Sequence, residues 1–196
     1  MNHFPISVNL SGKTVYLIGD GPQIRQKAEK MKPFEAVLTH KQTFTEADAR
    51  TAPAMVIVGD TDVAKAEEIA SLCGQYRIPV NVVDVPRLCS FYFPGLITKG
   101  DLTVSISTGG TCPAAAACLR ERIENAIPDG TEDVLEWAHQ NRERLKKHRV
   151  LKQAVTKAFS LNRPLRRRAF RYIFAPLRSA KDVAPIPNAW ELKTEN

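Results

Sequence analysis

The sequence has no cysteine pair at the spacing that a structural zinc site or a disulfide framework requires. Its four cysteines, Cys73, Cys89, Cys112 and Cys118, are scattered and have no accompanying histidine pattern. No apolar run approaches the ~20 residues of a membrane-spanning helix. Residues 1–7 show no charged leader followed by an apolar stretch. We therefore expect reduced thiols, no bound metal, no membrane span and a location in the cytoplasm.

The positive charge of the chain is concentrated near its C-terminus. The formal net charge is +7, and residues 141–178 hold thirteen Lys or Arg and a single acid, Glu143. Such a segment faces anions or solvent. One interpretation is a nucleic-acid-binding module on these basic helices. No recognised nucleic-acid-reading motif is present, however, and Phe170, Tyr172 and Phe174 suit helix packing better than base stacking, so we expect no nucleic-acid partner.

Short apolar, β-branched runs alternate with helical stretches over the first half of the chain. Strands are predicted at 14–18, 36–39, 54–58 and 80–83, and helices at 22–32 and 63–76. This order indicates an α/β fold with a Rossmann-like doubly wound parallel sheet. A hairpin is then predicted from strands at 93–98 and 102–107. It is followed by helices at 114–126, 131–147, 150–160 and 164–174.

A glycine-rich turn follows the first predicted strand and precedes a helix, where a dinucleotide pyrophosphate normally binds. The turn reads Gly19-Asp20-Gly21-Pro22-Gln23-Ile24, with Ile24 where a third small residue is usual. Asp20 adds negative charge, and Pro22 removes one N–H donor. The turn is therefore either a cofactor site or a structural connection. The candidate cofactor-binding residues are Gly19, Asp20, Gly21, Pro22, Gln23, Thr43, Asp60 and Thr61.

A second candidate site lies in residues 79–86, which read Pro-Val-Asn-Val-Val-Asp-Val-Pro. The apolar residues indicate a strand buried on both faces, and Pro86 prevents the strand from continuing. Asp84 is therefore expected at the carboxyl end of a strand, where open α/β sheets place ligands and chemistry. The alternative is an aspartate that merely opens a turn.

Taken together, these segments resemble the precorrin-2 dehydrogenase family, which includes the matching domain of multifunctional sirohaem synthases. The resemblance covers about the first 125 residues in the family's order. It is carried by Phe4-Pro5-Ile6, Gly19-Asp20-Gly21, Val80-Asn81-Val82-Val83-Asp84, Cys89-Ser90-Phe91-Tyr92-Phe93-Pro94, Gly100-Asp101-Leu102, Ser105-Ile106-Ser107-Thr108-Gly109-Gly110, Pro113 and Leu119-Arg120-Glu121-Arg122-Ile123-Glu124.

The resemblance implies an NAD-dependent oxidation of precorrin-2 to sirohydrochlorin in sirohaem biosynthesis, by a homodimer. Some members of the family also act as a ferrochelatase. The resemblance points to Asp84 as the catalytic residue, and a carboxylate beside the cofactor can accept the proton that dehydrogenation releases. Because precorrin-2 is an anionic, carboxylate-rich tetrapyrrole, Thr108, Gly109 and Arg120 are the candidate substrate-binding residues.

The expected organisation has three parts. Residues 1–112 form the Rossmann-like NAD-binding domain, residues 113–148 a helical dimerisation segment, and residues 149–196 a basic C-terminal helical domain. The interval between His40 and Ala54 is short, so one strand of the nucleotide domain is expected to be reduced or missing. The irregular glycine turn leaves an alternative function, a non-catalytic or chelatase-only tetrapyrrole-binding protein that has lost NAD.

Overall fold

The computed structural model describes residues 3–147 of the chain. Two compact units are distinguished, with the boundary between Pro94 and Gly95. The helices predicted at 150–160 and 164–174, and the basic C-terminal domain expected at 149–196, lie outside the described residues. Within residues 3–147, no helix combines the length and the apolar character needed to cross a membrane.

The first unit is built on a parallel sheet of four strands in the order β2-β1-β3-β4. This confirms the predicted α/β, Rossmann-like fold. The strands are β1 (Thr14–Ile18), β2 (Val37–Lys41), β3 (Met55–Val58) and β4 (Val80–Val82), and the helices are α1 (Pro22–Met31), α2 (Glu46–Arg50) and α3 (Val63–Gln75). Single 3-10 turns occur at Lys32–Phe34 and Pro86–Leu88.

Side chains of the two central strands alternate between two apolar layers, as the period of two in a strand requires. Val15 and Leu17 of β1 pack with Ile24 of α1. Tyr16 and Ile18 pack on the opposite face with residues of α2 and α3. Each fully buried Val, Leu or Ile side chain contributes about 1.5–3 kcal/mol. These layers fix the sheet and hold the carboxyl ends of the strands at one edge.

The short interval after β2 holds the helix α2 and, in the described part of the chain, no further strand before β3. The sequence reading missed this helix. The Thr45 hydroxyl accepts a hydrogen bond from the backbone N–H of Asp48, while the Asp48 carboxylate accepts one from the backbone N–H of Thr45. This capping box stabilises a helix too short to form by propensity alone.

The second unit begins with an antiparallel hairpin and continues as helices. Its elements are β5 (Gly95–Lys99), β6 (Leu102–Ile106), α4 (Pro113–Ala126), α5 (Thr131–Gln140) and α6 (Arg142–Lys147). The hairpin was predicted, but the single helix predicted at 131–147 is wrong. The chain breaks at the buried Asn141, whose side-chain amide donates to the Trp137 carbonyl at 2.9 Å.

The division at Pro94 differs from the nucleotide-domain boundary expected at residue 112. The reason lies in the hairpin, whose two strands pair with each other instead of extending the parallel sheet. β5 and β6 also pack against α4, and β6 against α5. The dimerisation role expected for residues 113–148 stays a prediction.

Candidate functional site

The loops after β1, β3 and β4 begin at the same level of the sheet. The backbone N–H of Gly59 donates to the Ile18 carbonyl at 3.0 Å, and that of Val83 donates to the Val58 carbonyl at 2.8 Å. In each of the three loops, the second residue after the end of the strand is an aspartate. The fold therefore places Asp20, Asp60 and Asp84, three of the predicted site residues, at one edge of the first unit.

Two glycines allow the loops after β1 and β3 to touch. Gly19 has φ of +102°, and a Cβ there would lie 2.1 Å from the Gly59 carbonyl oxygen. A Cβ on Gly21 would lie 1.9 Å from the carboxylate of Asp60. Both distances are far below van der Waals contact: a side chain at Gly19 would push the two loops apart, and one at Gly21 would force the Asp60 carboxylate to turn away. The predicted Gly19-Asp20-Gly21 turn and Asp60 thus form one local structure.

Ile24 stands where dinucleotide-binding turns usually have a small residue, and the structure shows how it is accommodated. The Ile24 side chain is completely buried. A Cβ on Gly59 would lie 3.0 Å from Ile24 Cγ1. The glycine needed for close packing between helix and sheet is therefore supplied by the strand end, and α1 keeps its approach to the sheet.

The N-terminus of α1 has no capping side chain of its own, although the Asp60 carboxylate lies beside Gly21. Its N-cap, Gly21, makes no side-chain capping hydrogen bond, and the first turn contains no acidic residue. The backbone N–H groups of Gln23 and Ile24 belong to this uncapped turn, where the helix dipole favours negative charge. The Asp20 carboxylate lies 3.4 Å from Arg25 Nη1, which offsets part of its charge. The free N–H groups of this turn suit a dinucleotide pyrophosphate, whereas the carboxylates of Asp20 and Asp60 oppose it. Pro22 has no N–H to contribute, but it stands at the first helical position, where proline is favoured.

Asp84 lies just beyond β4 in a left-handed backbone conformation, with φ of +61°. Its side chain is exposed, and Asp84 Oδ2 accepts a hydrogen bond of 2.9 Å from Gln23 Nε2. The left-handed conformation costs a residue with a side chain about 1–2 kcal/mol. Asp60 shares this conformation, as do Glu35, Ala52 and Arg77 elsewhere in the first unit, so it does not by itself mark a site. Two predicted site residues, Gln23 from the glycine turn and Asp84 from the second motif, are therefore in direct contact.

Lys27, which the sequence reading missed, lies one helical turn after Gln23 on α1. Burial lowers the pKa of Lys27, and the neighbouring Lys30 lowers it further, while Cys89 and Asp84 raise it. The Lys27 ammonium lies 4.4 Å from the centroid of the Phe93 ring, within the range of a cation–π interaction. The signal in the sequence was the spacing of four residues from Gln23, which places both side chains on one helix face.

Asn81, in the middle of the second motif, fixes the segment that returns after β4. Its side-chain amide donates to the Phe91 carbonyl at 2.9 Å and to Cys89 Sγ at 3.5 Å. The Ser90 hydroxyl accepts a hydrogen bond of 2.7 Å from the Val80 backbone N–H. The buried asparagine thus holds residues 89–93, including Phe93, against the edge strand.

Two further predicted cofactor residues, Thr43 and Thr61, lie in the loops after β2 and β3. Thr43 is exposed, and Thr61 is half-buried. Asp62 caps α3 by accepting a hydrogen bond of 2.8 Å from the Lys65 N–H. Lys65 Nζ then donates to the Gln42 carbonyl at 3.1 Å and links the two loops. Thr43 and Thr61 therefore lie along the same edge, Thr43 after the far edge strand β2 and Thr61 after β3, the neighbour of the strand that precedes Asp84.

The predicted substrate-binding residues belong to the second unit. The Thr108 hydroxyl accepts from the Cys112 N–H at 3.3 Å and donates to the Cys112 carbonyl at 3.1 Å, which closes the turn before α4. Gly109 has φ of +62° and open space around it. Arg120, two turns along α4, forms an ion pair of 2.8 Å with Glu124. Thr108 and Gly109 thus form one turn, and the Arg120 charge is shared within its own helix.

Comparisons with known proteins agree with this division of the chain. Residues 28–95 match a family model described as "Putative NAD(P)-binding". Residues 99–126 match a second model, described as "Sirohaem biosynthesis protein central". The first match lies almost entirely in the first unit and the second match lies in the second unit.

Three sequence relatives are sirohaem synthases from bacteria. The protein from Thioalkalivibrio sulfidiphilus is 32% identical over 149 residues, covering 65% of this chain and 30% of the relative. That from Thiobacillus denitrificans is 32% identical, covering 65% and 31%. That from Salmonella arizonae is 30% identical over 167 residues, covering 75% and 36%. The chain thus spans about a third of the length of these relatives.

A solved structure of SirC, precorrin-2 dehydrogenase, has a similar fold. The TM-score is 0.63 at 15% sequence identity, and the match covers 88% of this chain and 100% of the other. At this identity the likeness concerns the fold alone. Together with the two family models and the sequence relatives, it confirms the family resemblance seen in the sequence.

Proposed function

The chain belongs to the family of precorrin-2 dehydrogenases and sirohaem synthase N-terminal domains, and from this premise we propose that it oxidises precorrin-2 to sirohydrochlorin with NAD. The observation that carries the proposal is the hydrogen bond of 2.9 Å between Gln23 and Asp84. It joins the turn suited to a dinucleotide to a carboxylate suited to accept a proton.

In this proposal the glycine turn and the first turn of α1 hold NAD. The N–H groups of Gln23 and Ile24 bind the pyrophosphate, and Gly19 and Gly21 let the backbone approach it. Asp60, which touches the Gly21 position, limits the space beside the pyrophosphate. Bound NAD supplies the acceptor for the hydride that leaves a carbon of the substrate.

The two outer cofactor residues and the remaining loop positions have smaller roles. We assign Thr43 and Thr61 to hydrogen bonds with the adenosine end of the dinucleotide. Pro22 sets the backbone of the first helical turn. Asp20 faces the phosphate region with its charge partly offset by Arg25.

Asp84 accepts the proton that accompanies hydride loss. Gln23 engages Oδ2 and orients the carboxylate, so that Oδ1 can receive the proton from the substrate. A general base must lie within hydrogen-bond reach of the proton that it removes. The exposure of Asp84 at the strand end is consistent with such access.

Recognition of the substrate's carboxylates is assigned to the second unit. The N–H groups around Thr108 and Gly109 precede α4, where an anion is stabilised. Arg120 supplies a cation, although its ion pair with Glu124 must be shared or opened for this purpose. We also infer a homodimer, which light scattering on the purified protein would test.

A chelatase is the second candidate, and Asp84 is again the observation that favours it. Insertion of iron into sirohydrochlorin requires pyrrole N–H protons to leave, and the same exposed carboxylate can accept them. The substituted glycine turn, with Asp20 and Pro22, is compatible with a protein that has kept this step and lost NAD.

Turnover of enzymatically generated precorrin-2 by the purified full-length protein tests the proposal. We expect the absorbance of sirohydrochlorin to appear only when NAD is present, with one NADH formed per product. A parallel reaction starts from sirohydrochlorin and Fe²⁺ without NAD. Absence of NAD-dependent product would reject the dehydrogenase, and iron insertion in the parallel reaction would then support the chelatase.

A further inference from the structure

We propose that Lys27 binds a carboxylate of the tetrapyrrole substrate beside Asp84. This inference rests on the proposed function and adds a substrate contact in the first unit. Lys27 and Gln23 are four residues apart on α1, which places them on the same face of the helix. Gln23 bonds Asp84 directly, so this face of α1 is turned toward the reacting carboxylate.

The surroundings of Lys27 leave its charge available to a ligand. The side chain is half-buried, and burial is the main reason that its pKa is lowered. Its ammonium packs on the Phe93 ring, which is a weaker partner for a cation than a carboxylate. In the described part of the chain, no carboxylate forms an ion pair with Lys27.

Two other lysines in residues 3–147 have carboxylate partners, whereas the half-buried Lys65 and Lys99, like Lys27, form no ion pair there. The half-buried Lys41 pairs with the Asp48 carboxylate, and the exposed Lys32 pairs with Glu29 at 2.6 Å. A half-buried ammonium that lacks such a partner is costly. An anionic ligand that reaches the ring of Phe93 would supply the missing carboxylate.

The position along α1 favours the substrate over the cofactor phosphates. Lys27 is five residues beyond Pro22, the first residue of the helix. At a rise of 1.5 Å per residue, its backbone lies about 7.5 Å along the axis from Pro22 and about 4.5–6 Å from Ile24 and Gln23, whose N–H groups suit the pyrophosphate. It lies instead one turn after Gln23, on the face of α1 that carries the 2.9 Å hydrogen bond to Asp84. A positive charge there also offsets the repulsion between Asp84 and an anionic substrate.

The test uses sirohydrochlorin as the probe, with its binding followed by absorbance and protein fluorescence. Lys27→Met should weaken sirohydrochlorin binding about tenfold, because a charged hydrogen bond is lost. Lys27→Arg should restore most of the affinity. Lys30→Met, an exposed lysine on the same helix, removes the same charge and should change the affinity less than twofold.

NADH affinity is measured on the same variants. Unchanged NADH binding in Lys27→Met, together with weakened tetrapyrrole binding, would support the inference. Wild-type tetrapyrrole affinity in Lys27→Met would overturn it, as would a loss of NADH binding in place of tetrapyrrole binding. Failure of the wild-type protein to oxidise precorrin-2 would reject the proposed function instead, and the sirohydrochlorin titration would still decide the role of Lys27.

Discussion

The side-chain amide of Gln23 donates a 2.9 Å hydrogen bond to Asp84 Oδ2 across 61 residues of sequence. Gln23 is the second residue of α1, and Asp84 follows β4. This contact ties the proposed proton acceptor to the helix that begins at the glycine turn. Anything that moves the first turn of α1 should therefore also move the Asp84 carboxylate.

Gln23→Val should lower kcat for precorrin-2 oxidation by about tenfold, because Asp84 loses the donor that orients it, and one hydrogen bond to a charged group is worth about 1.5–3 kcal/mol. The KM for NAD should change less than kcat does, since the backbone N–H of residue 23 is still available to the cofactor. Gln26→Val, an exposed change on the same helix, is the matched control. Equal kcat values for Gln23→Val and wild type would show that the contact does not position Asp84.

Asp20→Asn should tighten NAD binding severalfold. The change removes a negative charge beside the expected pyrophosphate, and a unit charge at such distances in a solvated site contributes about 1 kcal/mol. NADH fluorescence titration at low salt gives the affinity. Glu68→Gln, an exposed position on α3, makes the same change in net charge elsewhere. Weaker binding in Asp20→Asn would mean that Asp20 contributes directly to the cofactor site.

Much of the first unit could be predicted because its signals are local. Thr14–Ile18 is apolar and β-branched, and the glycines that follow end the strand, so β1 and α1 were placed to within a residue or so. Asp84 was located by the proline that stops its strand. These features depend on neighbours in the sequence and need no knowledge of distant contacts.

The missed features depend on contacts between distant segments. Ile24 is compatible with the turn only because Gly59 lies opposite it. Lys27 becomes notable only when Phe93 lies beneath its ammonium. The helix α2 was missed because it has only five residues and depends on a capping box for its start. No local pattern reports such pairings.

Asp48→Asn should destabilise the protein at neutral pH by about 1–3 kcal/mol. Burial opposes ionisation of Asp48, but hydrogen bonds from Lys41 and Thr45 outweigh it and hold its pKa below the ordinary value of 3.8. The ionised carboxylate therefore stabilises the fold above pH 3.8, and this contribution is lost as the pH falls through the lowered pKa. Urea unfolding at several pH values measures it.

The free energies of unfolding of wild type and Asp48→Asn should accordingly converge at acid pH. Glu29→Gln removes an exposed ion pair and should change stability by less than about 1 kcal/mol at any pH. A constant difference between wild type and Asp48→Asn from pH 7 to acid pH would contradict the assigned role of the carboxylate.

The most direct test of Asp84 as the proton acceptor is the turnover of precorrin-2 by Asp84→Asn, with NADH binding measured on the same preparation. The substitution keeps the size of the side chain and an oxygen that can accept from Gln23, so the fold and NADH affinity should be retained. Because the amide cannot accept the proton, sirohydrochlorin formation should fall by at least a hundredfold. Turnover near the wild-type rate, with NADH still bound, would contradict Asp84 as the catalytic base.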